Sequence, residues 1–215
     1  MRQKASVDRN HGGKNIRSPG RPRSEEARVA ILGSTLKILG KHGFSDLTIE
    51  DVAAHAGVGK ATVYRWWPNK AALIADAFAS STTRALHFPD TGSLCSDMSQ
   101  QMRQLVKIFR GRRGRIVSAI LGGGQSDKEL IGAFRKRFLM PRRLEAYATL
   151  RRGIRRGELR KDVDMDLVLD SLYGPIYMRF LIRHDKMTPD FIDRLCRLVL
   201  GGAQPSRRLR DRVSH

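Results

Sequence analysis

The chain has 215 residues, with 41 Lys and Arg against 21 Asp and Glu and a formal net charge of +20 at pH 7. That length suits one or two domains with a hydrophobic core. The sequence contains no apolar run near the roughly 18 residues of a membrane span, so we expect no membrane partner. A pI of about 11.1 indicates nucleic acid or an anionic surface as the partner, and charge alone does not choose between them.

Residues 1–23 form a basic segment with few large apolar side chains. Such a composition cannot bury enough surface to offset the entropy of ordering, so we predict a disordered arm. Two prolines extend the piece 19–23, which allows Arg21 and Arg23 to reach a DNA minor groove. The alternatives are a solvated arm that adds only non-specific attraction, or an over-extended start. Residues 1–30 lack the apolar core of a secretory signal.

The run from Thr48 to Lys70 has the pattern of two short helices separated by a glycine-containing turn. Thr48 occupies an N-cap position with Asp51 three residues later, a capping box with Asp in place of Glu. Gly57 is the predicted end of the first helix, because glycine adopts the left-handed conformation at little cost. This spacing is typical of a DNA-binding helix-turn-helix, which we expect at about residues 48–67.

The second short helix has two chemically different faces, since a helix advances about 100° per residue. Val63 and Trp67 lie on one side and should pack on the first helix. The opposite side carries four candidate DNA-contacting residues: Ala61, Thr62, Tyr64 and Arg65. A small residue permits close approach to a groove, Arg can read guanine, and the hydroxyls can bond phosphates or base edges. An ordinary solvated face is the alternative.

The whole stretch from Ser24 to about Ser80 resembles the N-terminal domain of the tetracycline-repressor (TetR) family of bacterial regulators, and the run from His42 to Leu73 carries the resemblance. It contains the family's Gly-Phe pair, Thr cap, V-A, A-G-V, T-V-Y, aromatic-x-x-Lys and Leu in order. The resemblance implies an all-α protein. We expect an N-terminal domain over residues 24–85, with a three-helix helix-turn-helix core, and a C-terminal helical domain for ligand binding and dimerisation.

The resemblance assigns roles to individual residues of this stretch. Thr48 is expected to contact a phosphate while it caps its helix, and Lys70, behind its cap Asn69, to hold another. The expected groove-facing surface consists of Lys60, Ala61, Thr62, Tyr64 and Arg65. Trp66 stands where the family usually has Arg or His, and we expect its ring to cover the sugar-phosphate backbone. Gly59 often is Ser in relatives, so one hydroxyl contact is absent.

The second domain is predicted to cover residues 94–201 with further helices. A long helix there should kink or restart at Pro141. Wide apolar stripes mark two helices at 166–183 and 189–200, and such stripes are usually intramolecular core. The resemblance instead implies that these two helices form a four-helix bundle with a second copy. The basic tail, 202–215, is predicted to be disordered.

The resemblance also implies a small-molecule pocket in the C-terminal domain. Its ligand would favour a state in which the two DNA-binding heads no longer match the half-site spacing. The candidate lining residues are Met98, Met102, Leu105, Phe134, Phe138, Tyr147, Tyr173 and Tyr177. Met and aromatic residues at helical spacing are more often ordinary core, and the sequence does not identify the ligand.

No pattern for catalysis or metal binding is visible. The six His residues are scattered, and the phosphate-loop, zinc-protease and hydrolase motifs are missing. Cys95 and Cys196 lie far apart and fit a reducing cytoplasm. We therefore expect no enzyme activity, no metal and no cofactor, and a location in the cytoplasm on the nucleoid.

The sequence thus predicts a homodimeric, sequence-specific repressor that a small molecule releases from DNA. Its operator should be palindromic double-stranded DNA, with half-sites about 34–36 Å apart or a multiple of that distance. The alternative is an architectural protein that coats DNA with little base readout.

Overall fold

The computed structural model describes residues 24–205, which form ten α-helices and one π-helical segment. No β-strand occurs within this range, and the predicted all-α class is confirmed. The predicted arm, with Arg21 and Arg23, lies outside the described residues, as does the tail from residue 206 onward. None of the helices within the described range is long and apolar enough to cross a membrane.

The N-terminal half consists of four helices, which are α1 (Glu25–His42), α2 (Ile49–Ala56), α3 (Lys60–Trp66) and α4 (Lys70–Thr82). Side chains at the predicted N-caps satisfy the first free N–H groups: Ser24 accepts from Ala27 at 3.2 Å, and Asn69 accepts from Ala72 at 2.8 Å. Buried residues from every helix fill the space between them, including Ile31, Val52, Val63 and Ile74. We call these four helices the head.

The C-terminal half begins with α5 (Leu94–Arg110), α6 (Arg112–Gly123) and α7 (Lys128–Phe134), continues through a π-helical segment (Arg135–Leu139), and ends with α8 (Met140–Arg155), α9 (Met165–Ile182) and α10 (Pro189–Gly202). Helix α5 lies at the centre, packed on α6, α8, α9 and α10. We call this half the body.

The predicted interruption at Pro141 is confirmed. Pro141 lies in the first turn of α8, directly after the π-helical segment. Proline has no N–H and its ring clashes with the carbonyl one turn back, so the preceding turn must widen or break. By contrast, Pro175 lies inside α9 without ending it.

The head and the body share one apolar core rather than touching at a small surface. Helices α1 and α4 of the head pack on α6 and α7 of the body. The segment between α4 and α5 is tied to α8, where Arg152 donates to the Pro89 carbonyl at 2.7 Å. The division into two domains, with its boundary between residues 85 and 94, therefore stays a prediction. The two halves are closely packed on each other.

Candidate nucleic-acid interface and ligand cavity

The turn between α2 and α3 has the geometry that its caps predict. The Thr48 hydroxyl accepts from the Asp51 backbone N–H at 3.1 Å and donates to the Asp51 carboxylate at 2.5 Å. The carboxylate therefore contacts the hydroxyl rather than the N-cap backbone of an ordinary capping box. Gly57 has φ 67° and ψ 33°, the left-handed conformation that ends α2.

Helix α3 presents the two predicted faces. Val63 and Trp67 are almost completely buried, and the Trp67 indole donates to the Asp76 carboxylate of α4 at 2.9 Å. These contacts fix the helix on the head. On the other side, Ala61, Tyr64 and Arg65 are exposed and Thr62 is half-buried.

Arg65 is the cation of this exposed face that has no partner among the described residues. Within residues 24–205 its guanidinium has no ion pair and no hydrogen bond. The neighbouring Tyr64 side chain is 47% exposed. The planar fork of donors on Arg65 is therefore available for a bidentate contact with a guanine edge.

Lys60 is already paired at the start of α3. Its ammonium forms an ion pair with the carboxylate of Glu50 on α2. The hydrogen bond from Lys60 lowers the pKa of Glu50, and the same bond raises the pKa of Lys60. Both groups stay charged at neutral pH, and a phosphate must compete with Glu50 for the ammonium.

The loop between α1 and α2 holds the Lys70 side chain in place. Its ammonium donates to the Phe44 carbonyl at 3.1 Å and lies 4.3 Å from the centre of the Phe44 ring. An ammonium group has three donors, so others remain for a phosphate. The contacts with Phe44 orient Lys70 at the start of α4.

Trp66 packs partly against the core of the head, whereas its predicted contact with DNA needs an exposed ring. It is half-buried against the core, with its ring 6.0 Å from that of Trp67 and beneath the Arg28 guanidinium at 5.7 Å. This position gives Trp66 a packing role in the head. Its contact with the sugar-phosphate backbone stays a prediction.

A small cavity of about 70 Å³ lies in the body, among α5, the π-helical segment, α8 and α9. Four of the eight candidate pocket residues line it: Leu105, Phe138, Tyr173 and Tyr177. Its remaining lining, absent from the sequence prediction, is Leu86, Phe88, Gln101, Leu139, Arg142, Arg143, Ala146 and Leu169. The wall is mainly apolar, with a few polar groups.

The other four candidates lie in the packing around this cavity rather than on its wall. Met98 and Met102 are fully buried, and the Cys196 thiol donates to the Met102 sulfur at 3.5 Å. Phe134 packs between helices with its ring 5.9 Å from that of Phe78. The Tyr147 hydroxyl is held by a carboxylate of α9. These four side chains are therefore used in packing or hydrogen bonds with neighbouring residues.

The polar groups of the cavity wall are mostly neutral or already paired. Tyr173 donates to the Gln101 side-chain oxygen, and burial raises the pKa of Tyr177 to about 12, so that this phenol is neutral at pH 7. Arg142 donates to the Leu86 carbonyl and pairs with Glu145. The sequence gives no signal for this position of Arg142, because a run of basic residues usually marks a solvated surface.

Several large apolar side chains of α9 and α10 are exposed in the single chain. They include Leu167, Met178, Ile182 and Leu198, the last with 77% of its surface exposed. A set of this kind on two neighbouring helices is typical of a surface that another protein covers.

A helix-turn-helix with a free, groove-compatible face on an all-α body defines the class of a DNA-binding regulator. Family comparison agrees with that class: the model for bacterial regulatory proteins of the tetR family matches residues 31–77. The model for the tetracyclin repressor-like C-terminal domain matches residues 88–199. The chain belongs to the TetR family of transcriptional regulators.

Individual relatives cover most of the chain. An uncharacterized HTH-type transcriptional regulator, YdeS of Bacillus subtilis, is 40% identical over 185 residues, which are 86% of this chain and 93% of the relative. The DNA-binding transcriptional repressor TetR of Mycobacteroides abscessus is 31% identical over 69% of this chain and 78% of its own length. The crystal structure of the TetR family regulator SCO0332 is 35% identical, with a TM-score of 0.72 over 84% of this chain and 100% of that one.

Proposed function

We propose that this regulator is a repressor that binds a palindromic operator as a homodimer and leaves it when a small molecule binds the body. The observation that carries this proposal is the exposed face of α3, where Arg65 has no partner among the described residues while Val63 and Trp67 anchor the helix from behind. A rigid helix with one free arginine fork is suited to reading bases in a major groove.

The remaining DNA contacts divide into groove and backbone roles. The groove-facing residues are Ala61, Thr62, Tyr64 and Arg65. Lys60, after release from Glu50, and Lys70, oriented by Phe44, bind phosphates. Thr48 adds a phosphate contact at the N-terminus of α2, once its hydroxyl proton, donated to Asp51 in the free protein, turns to the phosphate. Trp66 is assigned a backbone contact at the edge of this surface, and Arg21 and Arg23 enter the adjoining minor groove.

The homodimer forms through α9 and α10. Their exposed Leu and Met side chains support this assignment, because burying each large aliphatic side chain stabilises a complex by about 1.5–3 kcal/mol. A two-fold dimer also presents two copies of α3 to half-sites about one or two helical turns apart. We place its action in the cytoplasm, on nucleoid DNA.

The effector binds in the body cavity. The mainly apolar wall, with the hydroxyl groups of Tyr173 and Tyr177 and the amide of Gln101, favours a small apolar molecule with one or two hydrogen-bonding groups. The cavity of about 70 Å³ must enlarge to admit it. Differential affinity for the enlarged state supplies the free energy that shifts the dimer away from its DNA-binding geometry.

The second candidate is an architectural protein that coats DNA with the same head. The net charge of +20 favours it, since sequence-independent binding depends on phosphate contacts. The two functions differ in base readout at Arg65.

Selection of bound fragments from sheared genomic DNA at near-physiological salt tests the proposal. Recovery of a two-fold-symmetric motif, with half-sites separated by a whole number of turns, supports the dimeric repressor. Fragments that share no motif contradict base readout and favour the architectural function. The Arg65→Ala variant, run in parallel, should lose the motif while it still retains fragments.

A further inference from the structure

Asp76 of α4 connects three parts of the molecule. One of its carboxylate oxygens accepts from the Trp67 indole at 2.9 Å and pairs with Arg28 of α1 at 3.6 Å. The other oxygen pairs with Arg137 of the π-helical segment at 3.4 Å. One oxygen thus holds the end of the recognition helix α3, and the other is held by the body.

The residue after Arg137 in the π-helical segment reaches the cavity. Phe138 lines the cavity, and its ring packs edge-on against Phe78 of α4, with the ring centres 4.8 Å apart. Phe78 and Asp76 are two residues apart on the same helix. A single turn of the chain therefore touches the cavity, through Phe138, and the support of α3, through Arg137.

The geometry points to Asp76 as a positioning residue that transmits occupancy of the cavity to the recognition helix. This inference rests on the proposed function, because it takes the cavity as the effector site. An occupant displaces Phe138, and the π-helical segment moves with it. Arg137 then leaves Asp76, and the carboxylate, held from one side only, rotates and loosens its hydrogen bond with Trp67.

The physical basis is the π-helical geometry of the segment, which differs from the α-helices on either side of it. A π-turn holds one more residue than an α-turn, and such turns are rare and frequently occur at functional sites. Elements that switch between discrete packings transmit small displacements better than elements that deform continuously. The ion pair is partly buried, with 22% of the Asp76 side chain exposed, so solvent screens it only in part.

Two variants imitate the two ends of this connection. Ala146 lines the cavity and is 2% exposed, so Ala146→Leu places additional methyl groups in the cavity as a fixed occupant. Arg137→Gln removes the ion pair with Asp76. Lys136→Gln is the matched control, because Lys136 is exposed on the same segment and has no ion pair within the described range.

Tryptophan emission reports the effect without DNA and without a known effector. The chain has two tryptophans, and both lie at the end of α3. We expect Arg137→Gln to shift the emission and Lys136→Gln to leave it unchanged. We expect Ala146→Leu to shift the emission in the parent protein, and to add less than half of that shift in the Arg137→Gln background, because the two changes act on one connection.

Two results would overturn the inference. One is an Ala146→Leu shift of equal size with and without Arg137, and the other is equal behaviour of Arg137→Gln and Lys136→Gln. If Ala146→Leu lowers the helical circular dichroism, Ala146→Val, with a smaller added volume, takes its place. Failure of the operator selection would contradict the proposed function and leave this fluorescence cycle unaffected, so the two failures are distinguishable.

Discussion

Lys60, the first residue of the recognition helix, is ion-paired with Glu50 on the preceding helix. In the free protein the Lys60 ammonium therefore binds the carboxylate of Glu50. In the proposed DNA complex the same ammonium binds a phosphate. The pairing with Glu50 opposes non-specific attraction to DNA, since every complex must first separate the two groups. It also places a negative charge beside the phosphates of the bound duplex.

Glu50→Gln should strengthen DNA binding. The change frees Lys60 and removes a repulsive charge, so we expect affinity for any DNA to rise by about two- to fivefold at low salt, in the range of one exposed charge contact. The gain should shrink as salt screens these groups. Fluorescence anisotropy with labelled duplexes at several salt concentrations measures it.

Asp190→Asn is the control for this change. Asp190 is an exposed carboxylate near the start of α10, paired with Arg194 at 3.9 Å. The Asp190→Asn change alters the net charge by the same amount, but on a helix that packs mainly on α5 and α9 of the body. Equal gains from Glu50→Gln and Asp190→Asn would mean that net charge, rather than the Lys60 pair, determines the effect.

Arg65→Ala should reduce specific binding. Loss of a bidentate contact with guanine should cost about 1–3 kcal/mol on the selected operator and little on random DNA. Arg155→Ala is the matched control, because Arg155 ends α8, is exposed, and has no ion pair among residues 24–205. Similar losses on operator and random DNA would favour the architectural function.

Lys70→Ala should weaken binding to all sequences and flatten its salt dependence. Loss of one phosphate contact lowers the slope of log affinity against log salt by about one unit. Titrations at four salt concentrations give this slope, and Lys161→Ala, an exposed lysine of the body, is the control. A slope that stays at the parent value would leave Lys70 with a structural role on Phe44 alone.

The parts of the site that the sequence predicts well depend on local chemistry. Thr48 and Asn69 find their cap partners within three residues, and Gly57 ends α2 through its own backbone freedom. Val63 and Trp67 share a face through helical geometry alone. None of these features needs knowledge of the rest of the fold.

The cavity was harder to predict because its wall depends on tertiary packing. The pattern of α5 identifies its apolar residues but not its rotation, and the structure turns Leu105 and Gln101 to the cavity while Met98 and Met102 fill the core. Arg142 reaches the Leu86 carbonyl, far away along the chain. A pairing of that kind leaves no periodic signal in the sequence.

The buried thiol of Cys196 should make the fold sensitive to alkaline pH. Burial raises its pKa from the ordinary 9.0 to about 11. Between these values the unfolded thiol has lost its proton while the folded one keeps it, so the free energy of unfolding falls as pH rises, by roughly 2 kcal/mol. Urea titrations from pH 8 to about 11 measure this fall.

Comparison of the two cysteines isolates the effect. Cys196→Ala should reduce the pH-dependent fall, whereas Cys95→Ala, at a half-buried position, should change it much less. In the native protein at pH 8, iodoacetamide should modify Cys95 well before Cys196, which mass spectrometry detects. Rapid native alkylation of Cys196 would contradict its burial.

Leu198→Asp should convert the proposed dimer into monomers. Leu198 is 77% exposed on α10. In the proposed dimer a second copy buries its side chain, whereas an unpaired carboxylate in the same place would cost on the order of several kcal/mol. Sedimentation velocity should give the mass of one 24.2 kDa chain for the variant and twice that mass for the parent. Operator affinity should fall with the dimer, since a monomer binds only one half-site.

Val29→Asp is the control for this change. Val29 is 65% exposed on α1, and its replacement should change neither mass nor helix content. A parent chain that sediments as a monomer at micromolar concentration, or a Leu198→Asp variant that stays dimeric, would exclude α10 as the interface.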